Sequence, residues 1–285
     1  MKTIIKTENL NKEYILGGFP RNIKINALND VNITVASDEP AIISVVGESG
    51  SGKTTLAKTI LRLVEPTSGQ VHISDQLVAG KGAQPDHTEF LRTVQPIFQN
   101  PFEAFNRYRT VDAYLYETAT RVLQLDPIEA VKAIEEALTA VGLEYKDVRG
   151  KYPNQFSGGE LQRASVARAL IPHPTLIIAD EPVSMIDASR RMIIINLFLA
   201  LKQEFNTSFL YITHDLATAY YISDYIAVMN RGRVVEFGEA KQVLQDPQHD
   251  YTRLLLNSIP QLSRKWADEI DWGAPIGAMS ERVMN

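Results

Sequence analysis

Short apolar runs alternate with helical stretches along most of the chain. Mainly apolar runs occupy residues 41–46, 176–179 and 208–213, and a helix is predicted over residues 188–204. Short continuous apolar runs between turn residues are typical of buried strands in a parallel sheet. The first run is followed by a glycine-rich loop and by a helix predicted over residues 53–64, which must end before Pro66. This order of elements predicts an α/β core.

Two other regions have the pattern of antiparallel strands. Within residues 3–35, Val31, Ile33 and Val35 alternate with polar neighbours, as expected for a half-buried strand. Late in the chain, two apolar runs flank residues 230–233, whose sequence Asn-Arg-Gly-Arg favours a hairpin turn. We therefore expect a small, partly antiparallel sheet at the N-terminus and a hairpin beyond the α/β core.

Helix signals follow one another from residue 87 to residue 150, with little that is typical of strands. The clearest predicted helix begins with Asp126 as N-cap, Pro127 in the first turn and Glu129 at the capping-box position, and it ends at Gly142. Its predicted apolar stripe consists of Ile128, Val131, Ile134, Leu138 and Val141. We interpret residues from about 96 to 170 as a helical subdomain inserted in the core.

The bulk composition excludes several classes of protein. A net charge of −5 and scattered basic residues argue against a nucleic-acid partner. The absence of cysteine excludes disulfides, thiolate metal sites and iron–sulfur clusters, and it fits a reducing compartment. The N-terminus becomes polar too soon for a signal peptide. The most apolar windows are well short of the about 20 residues that a membrane-spanning helix needs, so we expect a chain that does not cross a bilayer by itself.

Residues 47–54 read GESGSGKT, a complete phosphate-binding loop between a predicted buried strand and a helix N-terminus. Glycines let backbone N–H groups turn inward around phosphates, and the helix end adds partial positive charge. Lys53 is expected to reach the β and γ phosphates and the Thr54 hydroxyl to bind Mg²⁺. The candidate nucleotide-binding residues here are Gly47, Ser49, Gly50, Ser51, Gly52, Lys53, Thr54 and Thr55.

Two adjacent carboxylates follow the second apolar run. Asp180 has the Walker B position, from which it is expected to hold Mg²⁺ at the end of the adjacent strand. A helix cap or a solvated loop acid is the alternative for Asp180, and the presence of the phosphate loop argues against it. Glu181 follows directly, so that one carboxylate can face the metal and the other the attacking water.

Three further side chains are candidates by their position. His214 follows a predicted strand and would lie at the same sheet edge, near the γ phosphate. Gln99 precedes the helical region, where its amide can contact Mg²⁺ or the water, and Tyr14 offers a flat face for adenine. Taken singly, each has a structural alternative: a satisfied structural histidine, a polar loop residue and a packed tyrosine.

Residues 156–163 read FSGGELQR. Ser157 and Glu160 satisfy the N-cap and N3 pattern of a helix start, so a capped helix is one interpretation. A cap does not require Gly158 and Gly159, because consecutive glycines are poor helix formers. Exposed N–H groups at a helix N-terminus also bind phosphate well, and the segment can serve both purposes.

The chain resembles the ATP-binding subunits of ABC transporters over about residues 1–260. The resemblance rests on motifs in this order: Tyr14, GESGSGKT, Gln99, FSGGE, LIIAD with Glu181, Asp187 and His214. It implies an α/β P-loop NTPase fold with a RecA-like parallel sheet, an N-terminal antiparallel β subdomain and the inserted helical subdomain. Residues 1–240 would form the ATPase domain and residues 241–285 a C-terminal extension.

The resemblance also implies how the site is completed. Two ATPase subunits would sandwich two ATP molecules with Mg²⁺, and Glu181 would polarise the attacking water while His214 contacts the γ phosphate. The residues that face the partner's nucleotide or cross the dimer interface would be Ser157, Gly158, Gly159 and Asp187. The implied partners are a second ATPase subunit, two membrane permease subunits contacted through the helical insert, with Gln99 at its hinge, and an extracellular solute-binding protein. The chain would then lie at the cytoplasmic face of the membrane.

Residues 91–101 and 246–255 are similar to the oligopeptide, dipeptide and nickel importer branch, in which two different ATPase chains commonly pair. This chain is similar to the second of them. It departs from the branch at residues 105–107, which read Phe-Asn-Arg where Leu-Asn-Pro-Arg is usual, and at residues 185–186, where Met-Ile replaces Ala-Leu. The branch also moves oligosaccharides, so oligosaccharide and nickel import stay as alternatives to peptide import.

Two other classes of protein are disfavoured. A soluble ABC-type ATPase that acts on DNA or ribosomes usually has a long coiled-coil insertion or two cassettes, and the sequence has neither. A P-loop kinase would need an acceptor site and a lid, and a GTPase would show a guanine-reading Asn-Lys-x-Asp motif, which does not occur.

Overall fold

The computed structural model describes residues 1–17 and 23–258. The strands in this part of the chain are β1 (Lys2–Leu16), β2 (Ile23–Ser37), β3 (Ile42–Val46), β4 (Ser68–Ile73), β5 (Gln76–Gly80), β6 (Val94–Ile97), β7 (Leu176–Asp180), β8 (Ser208–Thr213), β9 (Tyr225–Asn230) and β10 (Arg233–Glu239). The helices are α1 (Lys53–Ile60), α2 (His87–Thr93), α3 (Pro101–Ala104), α4 (Val111–Val122), α5 (Pro127–Ala140), α6 (Tyr145–Val148), α7 (Gly158–Leu170), α8 (Ala188–Glu204), α9 (Leu216–Ile222), α10 (Ala240–Gln245) and α11 (Asp250–Asn257), with a 3-10 turn at Pro153–Gln155.

The α/β core is a six-stranded sheet in the order β10-β9-β3-β8-β7-β6, in which only β10 pairs antiparallel. Every residue of β3 and β8 is buried. Along β8, Phe209 and Tyr211 join one apolar cluster while Leu210 and Ile212 join another, so both faces of the strand are covered. This two-sided burial explains the continuous apolar runs in the sequence and confirms the predicted parallel α/β core.

A second sheet is antiparallel throughout, in the order β2-β1-β4-β5. Val31, Ile33 and Val35 of β2 are buried and lie in the same apolar cluster as Ile43 and Val45 of β3. The predicted alternation of buried and exposed positions is therefore confirmed, and the small sheet covers one face of the core sheet. Strands β4 and β5 were not predicted from the sequence.

Helices α3 to α7 lie between β6 and β7 in the chain. Their apolar side chains, among them Leu115, Ile134 and Leu161, share a cluster with Ile177 of β7 and Phe198 of α8. The capping box at Asp126 is present as predicted, and Gly142 follows the helix in a left-handed conformation. None of the helices in the described part of the chain has both the length and the apolar character that a bilayer-spanning segment requires.

Several element predictions were wrong. The predicted helix over residues 53–64 ends at Ile60, because Arg62 adopts a left-handed conformation that no α-helix can contain. Residues 94–97 form a strand of the core sheet inside a region that was interpreted as helical. Ile128 is 83% exposed, so it does not belong to the buried stripe of α5. The tail after residue 240 contains two helices, α10 and α11.

Candidate active site

The phosphate-binding loop connects β3 to α1. Gly47 and Gly52 both have positive φ angles, of 152° and 108°. A Cβ atom on Gly47 would lie 2.2 Å from the carbonyl oxygen of Met229, and one on Gly52 would lie 2.4 Å from that of Ala27. Both positions therefore require glycine, because the backbone of β9 and that of β2 approach the loop too closely for a side chain.

The other candidate residues of the loop are distributed around this turn. Ser49 and Gly50 are exposed, Ser51 is buried, and Thr54 and Thr55 lie in the first turn of α1. The backbone carbonyl of Ser51 accepts a hydrogen bond of 2.8 Å from the N–H group of Gly232. The hairpin turn between β9 and β10 thus supports the loop from behind.

The Lys53 side chain is buried inside the loop. Its Nζ atom donates hydrogen bonds of 2.8 Å to the carbonyl oxygens of Gly47 and Glu48. Burial lowers the pKa of Lys53, although the carboxylates of Glu181 and Asp180 oppose this shift. The loop therefore encloses a cation, which is the arrangement that phosphate binding requires.

Asp180 ends β7 next to the first turn of α1. The Thr54 hydroxyl donates a hydrogen bond of 3.4 Å to Asp180 Oδ1. Burial raises the pKa of Asp180, and the hydrogen bond from Thr54 only partly offsets it. The Thr54 hydroxyl and the Asp180 carboxylate, whose buried charge the hydrogen bond stabilises only in part, are oxygen ligands of the kind that Mg²⁺ prefers. These two residues therefore fit a magnesium site.

Glu181 lies between two side chains from other segments. Its Oε1 atom is 3.2 Å from His214 Nδ1, and its Oε2 atom accepts a hydrogen bond of 3.2 Å from the Gln99 amide. Glu181 has a φ of 47°, which is uncommon for a residue other than glycine, and its N–H group donates to the carbonyl of Ile212. Residues in such backbone conformations concentrate at active sites.

The sheet topology explains why these residues meet. Strands β7 and β8 are parallel neighbours, so the loops that carry Glu181 and His214 leave the same edge of the sheet. Strand β3, which feeds the phosphate loop, pairs with the other side of β8. The carboxyl ends of parallel strands are where α/β proteins bind ligands. The structure thus brings together six candidates from four segments: Lys53, Thr54, Gln99, Asp180, Glu181 and His214.

Ser157 is the N-cap of α7, and the predicted capping box is confirmed. The Ser157 hydroxyl donates a hydrogen bond of 2.6 Å to Glu160 Oε2, and the Glu160 N–H group donates one of 3.3 Å to the Ser157 hydroxyl. The Ser157 hydroxyl and N–H groups lower the pKa of Glu160. Among the described residues, no hydrogen bond or ion pair joins Ser157 to the network around Glu181.

Gly158 and Gly159 lie in the first turn of α7 with ordinary helical backbone angles. A Cβ atom on either residue would meet no other atom within 4 Å. The structure of this chain alone therefore gives no reason for glycine at these positions. An open depression next to them is lined by Ser157, Gly159, Arg163 and Ile186 among others, so the helix start is accessible from outside.

Two further candidates, Tyr14 and Asp187, also lie outside the network around Glu181. Tyr14 is half-buried on β1, where Lys12 Nζ lies 5.1 Å from the centre of its ring. Asp187 is exposed at the N-terminus of α8, and its side chain makes no capping hydrogen bond. Their roles in adenine binding and at a dimer interface stay predictions.

The structure also shows two residues that the sequence analysis missed. Arg191 of α8 donates a hydrogen bond of 3.0 Å to the carbonyl of Ile186 and lies 4.0 Å from Asp215, so it links the Asp187 loop to the His214 loop. The hydroxyl of Tyr251 accepts a hydrogen bond from the Glu48 N–H group in the phosphate loop. The only sequence signal for Tyr251 is its place in the branch-like residues 246–255.

Two family models match the chain. Residues 28–184 match the family described as ABC transporter, and residues 235–280 match the oligopeptide/dipeptide transporter, C-terminal region. The first match covers the phosphate loop, Asp180 and Glu181. The second begins in β10 and includes α10 and α11.

Peptide transport ATP-binding proteins from several bacteria are similar in sequence to this chain. The di/tripeptide transport ATP-binding protein DppF of Pseudomonas aeruginosa (strain UCBPP-PA14) is 36% identical over 265 residues, which are 92% of this chain and 80% of DppF. The oligopeptide transport ATP-binding protein OppF of Lactococcus lactis subsp. lactis (strain IL1403) is 37% identical over 263 residues, 92% of this chain and 82% of OppF. AppF of Bacillus subtilis (strain 168), also an oligopeptide transport ATP-binding protein, is 35% identical over 91% of this chain and 79% of its own length.

Solved structures agree with the fold. A dimeric ATP-binding cassette in a post-hydrolysis state, bound to ADP and Pi, superposes with a TM-score of 0.70 at 27% sequence identity and covers 83% of this chain and 98% of its own. A dimeric bacterial ABC transporter cassette gives a TM-score of 0.68 at 28% identity, with the same coverage.

Proposed function

The chain belongs to the ABC transporter family, and from this premise we propose that it hydrolyses ATP to power the import of a short peptide through separate membrane subunits. Its relatives DppF, OppF and AppF are named peptide transport ATP-binding proteins. The match to the oligopeptide/dipeptide transporter C-terminal region supports the same solute class. Oligosaccharide or nickel import remains the alternative within the family.

The observation that carries this proposal is the network around Glu181. A carboxylate held by His214 on one oxygen and by Gln99 on the other lies at the same sheet edge as the phosphate loop. Phosphoryl transfer has a loose transition state, so its catalysis depends mainly on positioning and charge neutralisation. A fixed carboxylate near a phosphate-binding cation is suited to orient the attacking water.

The other candidate residues of this chain would bind the phosphates, Mg²⁺ and adenine of the ATP. Lys53 would bind the β and γ phosphates, and the N–H groups at the start of α1 would bind phosphate oxygens. Thr54 and Asp180, with Gln99 nearby, are the residues that would hold Mg²⁺, which neutralises phosphate charge when it is bound. His214 would contact the γ phosphate and keep Glu181 in place, and Tyr14 would stack on the adenine.

The start of α7 is assigned to a second ATPase subunit. Since the chain itself does not require glycine at positions 158 and 159, their small size suits the close approach of a ligand from outside. Ser157, Gly158 and Gly159 would bind the γ phosphate of the ATP held by the partner, and Asp187 would contact the partner at the interface. The similar solved cassettes are dimeric, which supports this assignment.

The proposed assembly contains two membrane permease subunits and an extracellular solute-binding protein, with this chain peripheral at the cytoplasmic face. A non-transport ABC ATPase is the alternative of another class, and the peptide transport names of the relatives favour the transporter. Co-purification distinguishes the two. We expect the tagged chain to bring down integral membrane proteins and a second ATPase from detergent-solubilised membranes.

The proposal is tested by peptide uptake into vesicles that contain the purified complex. We expect uptake of a short peptide to require ATP, and to stop when the complex carries Lys53→Ala in this chain. The matched variant Lys132→Ala, in an exposed lysine of α5, should leave uptake unchanged. Quantitative recovery of the chain with nucleic acid, or uptake that does not depend on Lys53, would contradict the proposal.

A further inference from the structure

Helix α11, the last one in the described part of the chain, is held against strand β10 at the edge of the core sheet. The Glu236 carboxylate on β10 accepts hydrogen bonds from the N–H groups of Gln248 and His249, at 2.8 and 3.1 Å. His249 Nδ1 in turn accepts one of 3.1 Å from the Tyr251 N–H group, and so caps α11. The start of α11 is therefore fixed to the sheet through these contacts.

The aromatic ring of Tyr251 packs against an apolar cluster that includes Val46 and Val228. Val46 is the last residue of β3 and directly precedes Gly47 of the phosphate loop. Packing of the ring therefore places the Tyr251 hydroxyl next to the start of that loop. The hydroxyl accepts a hydrogen bond of 3.2 Å from the Glu48 N–H group.

Glu48 is the residue through which Tyr251 reaches Lys53. The Glu48 carbonyl oxygen accepts hydrogen bonds of 2.8 Å from Lys53 Nζ and of 3.1 Å from the Ser51 N–H group. Tyr251 thus holds the N–H side of Glu48, and the loop holds its carbonyl side. Since Glu48 itself is exposed, the packed tyrosine restrains a residue that the core does not enclose.

We propose that Tyr251 is a positioning residue for the phosphate loop: it fixes the Glu48 backbone and thereby the place of Lys53, and it ties the C-terminal segment to the nucleotide site. The inference rests on the proposed function, because it assigns the loop to ATP. When phosphate oxygens replace the Glu48 carbonyl as partners of Lys53, the hydrogen bond to Tyr251 and the one from the Ser51 N–H group keep the Glu48 backbone in the binding conformation. The restraint acts on nucleotide affinity and leaves the chemical step to Glu181.

The test removes a single hydroxyl group. Tyr251→Phe in the full chain keeps the packed ring, and we expect ATP and ADP to bind about threefold to tenfold more weakly, as for the loss of one hydrogen bond. Hydrogen exchange at the Glu48 amide should become faster by a similar factor. In the assembled complex the KM for ATP should rise while kcat stays near that of the parent.

Tyr114→Phe is the matched control. The Tyr114 hydroxyl also accepts a backbone hydrogen bond, of 2.8 Å from the Asn106 N–H group, but in the helical region. We expect this variant to bind ATP like the parent. Equal losses of affinity in the two variants would overturn the inference, as would parental affinity and parental Glu48 exchange in Tyr251→Phe. A parent chain that does not bind ATP would instead contradict the proposed function, which separates the two failures.

Discussion

His214 Nδ1 lies 3.2 Å from Glu181 Oε1, and the two residues follow neighbouring parallel strands. The Gln99 amide binds the other carboxylate oxygen of Glu181 from a third segment. A carboxylate that is held on both sides has few orientations left to it. This restriction is what a residue that directs a water molecule needs, because small errors in position cost large factors in rate.

Lys53→Ala should weaken ATP binding about tenfold to a hundredfold, because hydrogen bonds to charged groups contribute more than neutral ones. Lys53 Nζ contacts only oxygen atoms, those of Gly47, Glu48 and Ser51. None of these residues can therefore replace the positive charge that the variant loses. Titration with a fluorescent ATP analogue measures the affinity. Lys132→Ala, on the exposed face of α5, is the control and should bind like the parent.

Asp180→Asn should raise the stability of the nucleotide-free chain and abolish its binding of Mg²⁺. Burial raises the folded-state pKa of Asp180 above its unfolded value, so at pH values above the folded-state pKa the charged form costs stability, and this cost disappears as the pH falls from the folded-state pKa to the unfolded one. At pH 7.5, about 3.6 units above the usual pKa of aspartate, the nucleotide-free variant should unfold at a higher temperature than the parent in EDTA. The effect of Mg²⁺ on ATP affinity should be lost. A lower unfolding temperature with unchanged Mg²⁺ dependence would contradict this account.

Glu160→Gln tests the contribution of the Ser157–Glu160 capping box in the FSGGE segment to stability. The folded-state pKa of Glu160 is lowered by Ser157, so the ionised carboxylate stabilises the fold at pH values above its unfolded pKa, and this contribution is lost as the pH falls through the folded-state pKa. The parent should therefore be more stable than Glu160→Gln at pH 7, by on the order of 0.5 kcal/mol because solvent screens this carboxylate, and the difference should close in acid. Urea titrations at the two pH values measure the difference, and the control Glu136→Gln, at an exposed acid on α5, should be as stable as the parent at pH 7.

Gly159→Ala tests whether the glycines of the FSGGE segment make room for the partner's nucleotide. The added methyl group meets no atom of this chain, and alanine favours a helix over glycine by about 0.5–1 kcal/mol, so thermal unfolding should shift upward. ATP hydrolysis in the assembled complex should nevertheless fall by on the order of a hundredfold, because the methyl group enters the space assigned to the partner's γ phosphate. A stabilised variant with parental hydrolysis would show that the glycines do not serve a nucleotide.

Local patterns were enough to predict the parts of the fold that depend on local physics. The loop at residues 47–54, the cap at Asp126 and the alternation at Val31, Ile33 and Val35 each follow from neighbouring residues, and the structure confirms all three. Strand β6 was missed because it is short and contains Pro96. A proline is tolerated there because β6 lies at the edge of the sheet.

Contacts between distant segments could not be predicted in this way. The spacing of Ile128 predicts that it belongs to the buried stripe of α5, yet it faces solvent, and the buried residues nearest to it in α5 are Ala130 and Ile134. The bond between Glu48 and Tyr251 joins residues from opposite ends of the chain. Nothing in the spacing of either segment indicates it, since only the packing of α11 brings them together.

The central claim is that Glu181 directs the water that hydrolyses ATP, and steady-state hydrolysis by the assembled complex with Glu181→Gln in this chain measures it most directly. The amide keeps the size of the side chain but cannot accept a proton, so turnover at this chain's site should fall by about a hundredfold to ten-thousandfold. The affinity for ATP should stay at the parental value, and Glu136→Gln should hydrolyse ATP like the parent. Hydrolysis at the parental rate by Glu181→Gln, with ATP bound normally, would contradict the account.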